Sequence, residues 1–270
     1  MAMDAQQRKS AWARDGFFVE RQLVSPVIAA AIESEVIARV RADPPASHKG
    51  VPIYFSGPNY LIYPEAAASP VSVNPEDFVS KVFNCHAEAA TRQTAESDAI
   101  VTRVAEILGD DIDCFQSQFI FKNPGVVGQP WHQDSYYFNF DKQPQIGVWL
   151  ALSRATLENG CLWVVPGSHA GAIHQHVPDR RPAANRGYLE IVDQDVSRRI
   201  PVLMEAGDVL FFHSYLMHMS TDNTADYRRS AMVYHYGRAG TRISAGVPPD
   251  KVISLNSVNR WIPVRRTQAS

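Results

Sequence analysis

His132 and Asp134 stand two positions apart in "QPWHQDSYYF" (residues 129–138), among Trp131, Tyr136, Tyr137 and Phe138. An imidazole and a carboxylate at i and i+2 of a strand project from one face, so both reach a single point. Fe(II) and similar divalent ions take two imidazoles and a carboxylate on one triangular face and keep the opposite positions open. The pair is equally readable as a backbone-bonded histidine and a turn aspartate, so the metal reading needs a third ligand from elsewhere. "GDVLFFHSYLMHMSTDNTADYRRSAMVYHY" offers one: after the Gly207-Asp208 turn and an apolar strand comes His218, with Arg229 further on.

Ligands drawn from distant segments need a rigid frame. From Asp113 onward the chain breaks into short β-rich runs separated by turn residues: "CFQSQFIFK", "WHQDSYYF", "IGVWLALS", "CLWVVPG", "RRIPVLMEAGDVLFFH" and "RRSAMVYHY". That pattern predicts an antiparallel sandwich or barrel. Ahead of it come a short strand, Phe17 to Val19, and a helix from about Pro26 to Val40 with Ser25 as N-cap and proline at its first position. A second helix is expected from about Ala87 to Leu108, ending at Gly109. The expected fold is mainly β with flanking α: a jelly roll with N-terminal helices packed outside. With no repeat or linker, residues 1–270 read as a single domain: a helical part at about 12–108, a β core at about 113–240 and a tail at 241–270. The proline-rich segment 43–75 reads as a loop lining or covering something, a candidate lid.

Composition excludes several roles. Lys+Arg (26) and Asp+Glu (28) nearly cancel and are spread along the chain, which argues against a nucleic-acid partner. The arginines at 180, 181, 186, 198 and 199 are interrupted by acids and read as a solvated face. The three cysteines, Cys85, Cys114 and Cys161, lack a CxxC pair and read as buried, reduced thiols. No signal core or membrane-length apolar run is visible, so the expectation is a cytoplasmic protein with no membrane partner. The sequence is silent on oligomeric state.

HxD followed at a distance by "GDxxxF…HxSxxN…R", with Ser220 and Asn223 at the intervening positions, resembles the phytanoyl-CoA dioxygenase family of Fe(II)- and 2-oxoglutarate-dependent oxygenases. "NGCLWVVPGSHAG" and "RDGFFVERQLVS" are similar to further segments of that family, so the resemblance spans roughly residues 12 to 240. It implies a double-stranded β-helix of the cupin-like kind, a His132, Asp134 and His218 triad for iron, and a 2-oxoglutarate anchor at Arg229. The physical reading agrees with those roles. Three protein ligands leave room for a bidentate 2-oxo acid and O2. A guanidinium is a planar partner for the distal carboxylate, and the Ser220 hydroxyl donates alongside it. By position in the family, Lys81 reaches the cosubstrate, Gln118 lines it and Trp149 packs beside it. Gln116, Gln118, Ile120 and Lys122 share one strand face, where buried polar groups require partners. Related halogenases carry a small residue where Asp134 stands, so the resemblance implies hydroxylation or a related oxidation.

The other histidines receive plainer readings. His213 is structural, His169 bonds backbone, His174 and His176 form a solvated pair, and His48 and His86 join no constellation. His235 shares a strand face with Arg229 and is a candidate for the pocket. Arg228 is expected in solvent. Trp131, Tyr136, Tyr137, Phe138 and Phe140, with Tyr54, Phe55 and Tyr60, suggest aromatic walls around a small-molecule substrate. Two alternatives use the same residues: a non-redox cupin-like isomerase or hydrolase, and a catalytically silent binding protein.

Overall fold

The computed structural model describes residues 3–65, 72–181, 188–248, 256 and 258–267. The chain opens with α1 (Ala5–Asp15), β1 (Phe17–Glu20) and α2 (Pro26–Ala42), then β2 (Tyr54–Ser56), β3 (Tyr60–Pro64) and β4 (Val79–Phe83). Next come α3 (Ala89–Ala95), α4 (Asp98–Leu108), β5 (Ile112–Lys122), α5 (Ser135–Phe138), β6 (Ile146–Ala151) and β7 (Leu162–Val164). β8 (His176–Pro178), β9 (Leu189–Ile191), β10 (Ile200–Val202), β11 (Val209–His213), β12 (His218–Ser220), β13 (Arg229–Arg238) and β14 (Ile262–Arg265) complete the described elements.

The fold is mainly β, a jelly roll. A nine-stranded sheet runs β1-β11-β6-β13-β5-β4-β3-β2, with β14 also on β5, and a three-stranded sheet runs β10-β7-β12. All the pairings are antiparallel. The alternation of each strand divides its side chains between two cores. Val148, Leu150, Met232, Tyr234 and Tyr236 face outward, where Ile32, Val36, Ile100 and Val104 of α2 and α4 cover them. Trp149, Ala151, Ala231 and Val233 face inward, toward Leu162 and Val164 of the small sheet. The inner layer is where the functional side chains lie.

Several local expectations hold. Ser25 caps α2 by accepting from the Ile28 N–H at 3.3 Å, and the Gly109 N–H closes α4 on the Ala105 carbonyl. Others are corrected. The helix expected over 87–108 is two helices broken at Glu96-Ser97, where the Ser97 hydroxyl turns back to the Thr94 carbonyl. α1 was not expected; Asp4 and Gln7 form a reciprocal capping box that starts it. The segment 43–75 is more than a loop, because β2 and β3 extend the large sheet; residues 66–71 lie outside the described ones. All three cysteines are buried and free. No helix among the described residues is long and apolar enough to cross a membrane.

Candidate active site

Residues 131–138 do not form the expected strand. His132 makes one bridge to β12: its N–H donates to the His218 carbonyl at 3.0 Å, and the His218 N–H donates back at 3.1 Å. Asp134 has helical torsions, φ −60 and ψ −37, ahead of α5. The side chains therefore meet by a different route from the one the spacing suggested. The backbone pairing with β12 holds His132, and the turn into α5 brings Asp134 round.

His132, Asp134 and His218 each present a ligand atom, and these atoms lie within 4.8 Å of one another. Asp134 Oδ1 is 3.7 Å from His132 Nε2 and 3.6 Å from His218 Nε2. The other ring nitrogens face main chain: His132 Nδ1 is 2.7 Å from the Pro130 carbonyl and His218 Nδ1 is 3.0 Å from the Leu216 carbonyl. A carbonyl only accepts, so each Nδ1 carries the proton and each Nε2 keeps its lone pair for a metal. Burial, with His218 adding, holds His132 well below the usual imidazole range. Burial alone would raise the Asp134 carboxyl, but His218, His235 and His132 together bring it well below the carboxylate range. Neutral imidazole and ionised carboxylate is the protonation state a divalent ion requires.

His235 completes this cluster. Its Nε2 lies 3.1 Å from Asp134 Oδ2, and its ring sits 5.0 Å from Phe138 and 5.9 Å from Phe115, centroid to centroid.

A second patch lies on the same inner face. Arg229 is 1% exposed; one Nη donates to the Gly160 carbonyl at 3.0 Å, while Nε and the other Nη are buried without partners. The guanidinium carbon stands 5.2 Å over the Trp149 ring, and burial lowers the Arg229 pKa only to about 10, so it stays charged at neutral pH. Lys122 is directly opposite Arg229 in the β5–β13 register, with Nζ hydrogen-bonded to Ser220 Oγ at 2.9 Å. Ser220 Oγ also accepts from the Gln129 N–H at 3.1 Å. Two glycines make room here. A Cβ on Gly128 would overlap the Ser220 carbonyl oxygen, and one on Gly160 (φ +80) would meet Lys122 Cε at 2.8 Å.

The remaining candidates are distributed as follows. Trp149 Nε1 and Gln118 Oε1 are buried and unpartnered, and Gln118 lies between Phe83 and Val233 in register. The Lys81 ammonium donates to Gln129 Oε1 at 3.0 Å and lies 5.2 Å from the Tyr188 ring centroid. Asn223 pins the β12–β13 turn, donating to the Lys122 and Tyr227 carbonyls. His213 is structural, its Nδ1 accepting from the Tyr215 N–H.

Some readings need correction. His176 is buried, not solvated: Nε2 accepts from the Gln133 N–H at 3.1 Å, and the ring stacks on Tyr136 at 4.0 Å. Arg228 is not free in solvent; it bonds Asn123 at 2.7 Å and pairs with Asp77 at 2.8 Å. Of the aromatic walls, Phe138 and Phe140 each pack edge-on to Phe115 at 5.0 Å, and Tyr137 stands 6.1 Å from His132. Phe55 points to solvent, Tyr54 stacks on His48 and Tyr60 belongs to the main core, so these three do not line the site. A cavity of about 500 Å³ does lie along the proline-rich segment, lined by Pro44, His48, Val51 and Phe78, and none of the three metal-ligand candidates lines it. Arg181 bonds Asp179 and the Gly128 carbonyl; Arg186 lies outside the described residues. Sequence reasoning placed Lys122 on the strand face shared with Gln118 without a role, and it missed Gln133. Nothing announced Gln133, whose amide clamps Ala172, His174 and Tyr215 between the ligands.

Comparison with known proteins adds an independent observation. The phytanoyl-CoA dioxygenase (PhyH) family model matches residues 12–231. The peroxisomal phytanoyl-CoA dioxygenase of Mus musculus is 30% identical over 242 residues, covering 86% of this chain and 68% of that one. Phytanoyl-CoA dioxygenase 1 of Oryza sativa subsp. japonica is 33% identical over 121 residues, which span 44% of this chain and only 43% of the rice protein. Among solved structures, the apo form of the non-heme monooxygenase ThoJ superposes with a TM-score of 0.69 at 23% identity, covering 98% of this chain and 85% of that one. The epimerase SnoN, in complex with Fe3+, alpha ketoglutarate and nogalamycin RO, gives 0.65 at 18% identity, covering 92% and 88%. At these identities the structural likeness shows the fold.

Proposed function

The chain belongs to the phytanoyl-CoA dioxygenase family, and from that premise we propose that it is an Fe(II)- and 2-oxoglutarate-dependent dioxygenase that hydroxylates, or otherwise oxidises, a small-molecule substrate. The observation that carries this reading is the pairing of the two patches. Three ligand atoms converge within 4.8 Å. On the same inner face, Arg229 keeps two buried donor nitrogens without partners. The triad fits a divalent ion by donor type and protonation, and the orphaned donors fit an acceptor-rich anion.

Bound Fe(II) supplies the redox chemistry toward O2 that decarboxylates 2-oxoglutarate to succinate and CO2 and oxidises the substrate. The chain's own residues do the rest. His132, Asp134 and His218 would hold the metal. Arg229 binds the distal carboxylate of 2-oxoglutarate through its free Nε and Nη, and Ser220 donates beside it. Trp149 supports the guanidinium from below and walls the site against water. Lys81, steadied by Gln129, and Gln118 contribute to the cosubstrate site. Tyr137, Phe138 and Phe212 keep the histidines dry; Phe212 sits 4.9 Å from the His218 ring. A non-redox enzyme with the same triad has no need of a buried, unpaired arginine, which favours the oxygenase.

The test is spectroscopic. Adding 2-oxoglutarate to the Fe(II)-loaded protein without oxygen should produce a visible charge-transfer band, and admitting oxygen should yield succinate. A colourless complex that releases no succinate would remove the oxygenase reading.

A further inference from the structure

Lys122 and Arg229 are two buried cationic side chains at directly opposed positions of adjacent strands, 4% and 1% exposed. Opposed positions of an antiparallel pair place Cβ atoms about 4.5–5.5 Å apart on one face, where two like charges repel. Neither side chain forms an ion pair with a carboxylate among the described residues. Resting on the oxygenase reading, we propose that Lys122 joins Arg229 as a cation for the distal carboxylate of 2-oxoglutarate, uncharged when the site is empty and protonated at Nζ when that carboxylate binds between it and Arg229.

The groups facing Lys122 from each neighbouring element support this. On β13, Arg229 is charged and repels a second cation. On β4, Lys81 adds positive charge and is hydrogen-bonded to Gln129. After β12, Asp222 is the nearby acid, but its side chain is 55% exposed, and its Oδ1 accepts from the Gly128 N–H at 2.7 Å with Arg181 at 3.8 Å. Burial raises the Cys161 thiol to about 11, so it offers no anion. Burial and Arg229 accordingly hold the Lys122 ammonium well below the usual lysine range.

Ser220 makes the exchange workable. Nζ and Ser220 Oγ stand 2.9 Å apart, so an uncharged Nζ in the empty site can take the hydroxyl hydrogen on its lone pair. When the carboxylate arrives, Nζ takes a proton from solvent and donates to Ser220 Oγ, and the hydroxyl hydrogen turns to the carboxylate. No covalent bond is made or broken apart from the N–H formed on Nζ. Binding therefore adds one positive charge at Nζ beside that of Arg229, where the carboxylate arrives.

Calorimetric titration of 2-oxoglutarate into the Fe(II)-loaded, anaerobic protein, in paired buffers of different ionisation enthalpy at about pH 7.5, counts protons taken up on binding. The wild type should take up about one proton more per 2-oxoglutarate than either Lys122 variant. Lys122→Met should bind about tenfold to a hundredfold more weakly. Lys122→Arg, permanently charged, should fold and bind with no uptake from this position. Equal proton uptake in the wild type and Lys122→Arg, or undiminished affinity in Lys122→Met, overturns the Lys122 assignment while leaving the oxygenase standing. A wild type that does not bind 2-oxoglutarate overturns both.

Discussion

Asp134 uses its two carboxylate oxygens differently: Oδ1 faces the Nε2 atoms of His132 and His218, and Oδ2 faces His235. Asp134→Ala removes the one carboxylate of the triad, and Fe(II)-dependent succinate formation should fall by at least about a hundredfold, read by product assay alongside metal content. His235→Phe fits the surrounding aromatic nest and deletes only the hydrogen bond to Oδ2. Fe(II) affinity should then weaken by about tenfold to a hundredfold in a metal titration, with little loss of stability. At this scale the residue types were legible in the sequence, because few side chains bind a metal. The route by which they meet was not. An i, i+2 spacing reads as a strand by default, and the bridge to β12 that replaces it is a long-range contact no local pattern encodes. His176 was hidden for the same reason: its burial depends on Gln133, forty-odd residues earlier in the chain.

The elements carry the site by close approach. The loop before His132 can lie on β12 only because Gly128 has no side chain against the Ser220 carbonyl. Gly128→Ala should destabilise the fold by about 1–3 kcal/mol, measured as a lowered urea midpoint, and weaken 2-oxoglutarate binding by displacing Ser220. β5, β6, β11 and β13 were legible as β-rich runs because each buries both faces, against two cores. α2 was legible through Ser25 and Pro26. The α3–α4 break was not, since the helical pattern passes through Glu96-Ser97 without a proline or glycine. β2 and β3 were concealed by prolines in their connections, and tertiary pairing with β4 overrides that local composition.

Over the whole molecule, the large sheet takes β1 to β4 from the N-terminal part and β14 from the tail, so we read the described chain as one unit that unfolds in a single transition. His86 sets a pH window for that transition. Burial lowers it from the ordinary 6.5 to about 4, against the opposing Arg260 carbonyl. As pH falls below about 6.5 the unfolded chain binds the proton first, so stability is full above that point and declines until about pH 4. About 3 kcal/mol should be lost over the window, seen as a falling urea midpoint, with the His86 imidazole resonances titrating near pH 4 by NMR. The pairing of β1 with β11, Phe17 opposite Phe212, has a consequence in time. A ribosome adding about 5–20 residues per second makes the first strand wait on the order of 10–40 s for its partner. During that interval Phe17 and Phe18 have no sheet to join, and His132 waits for His218. His132 and His218 therefore meet only after more than two hundred residues have been made, and β13 and β14 join the large sheet later still.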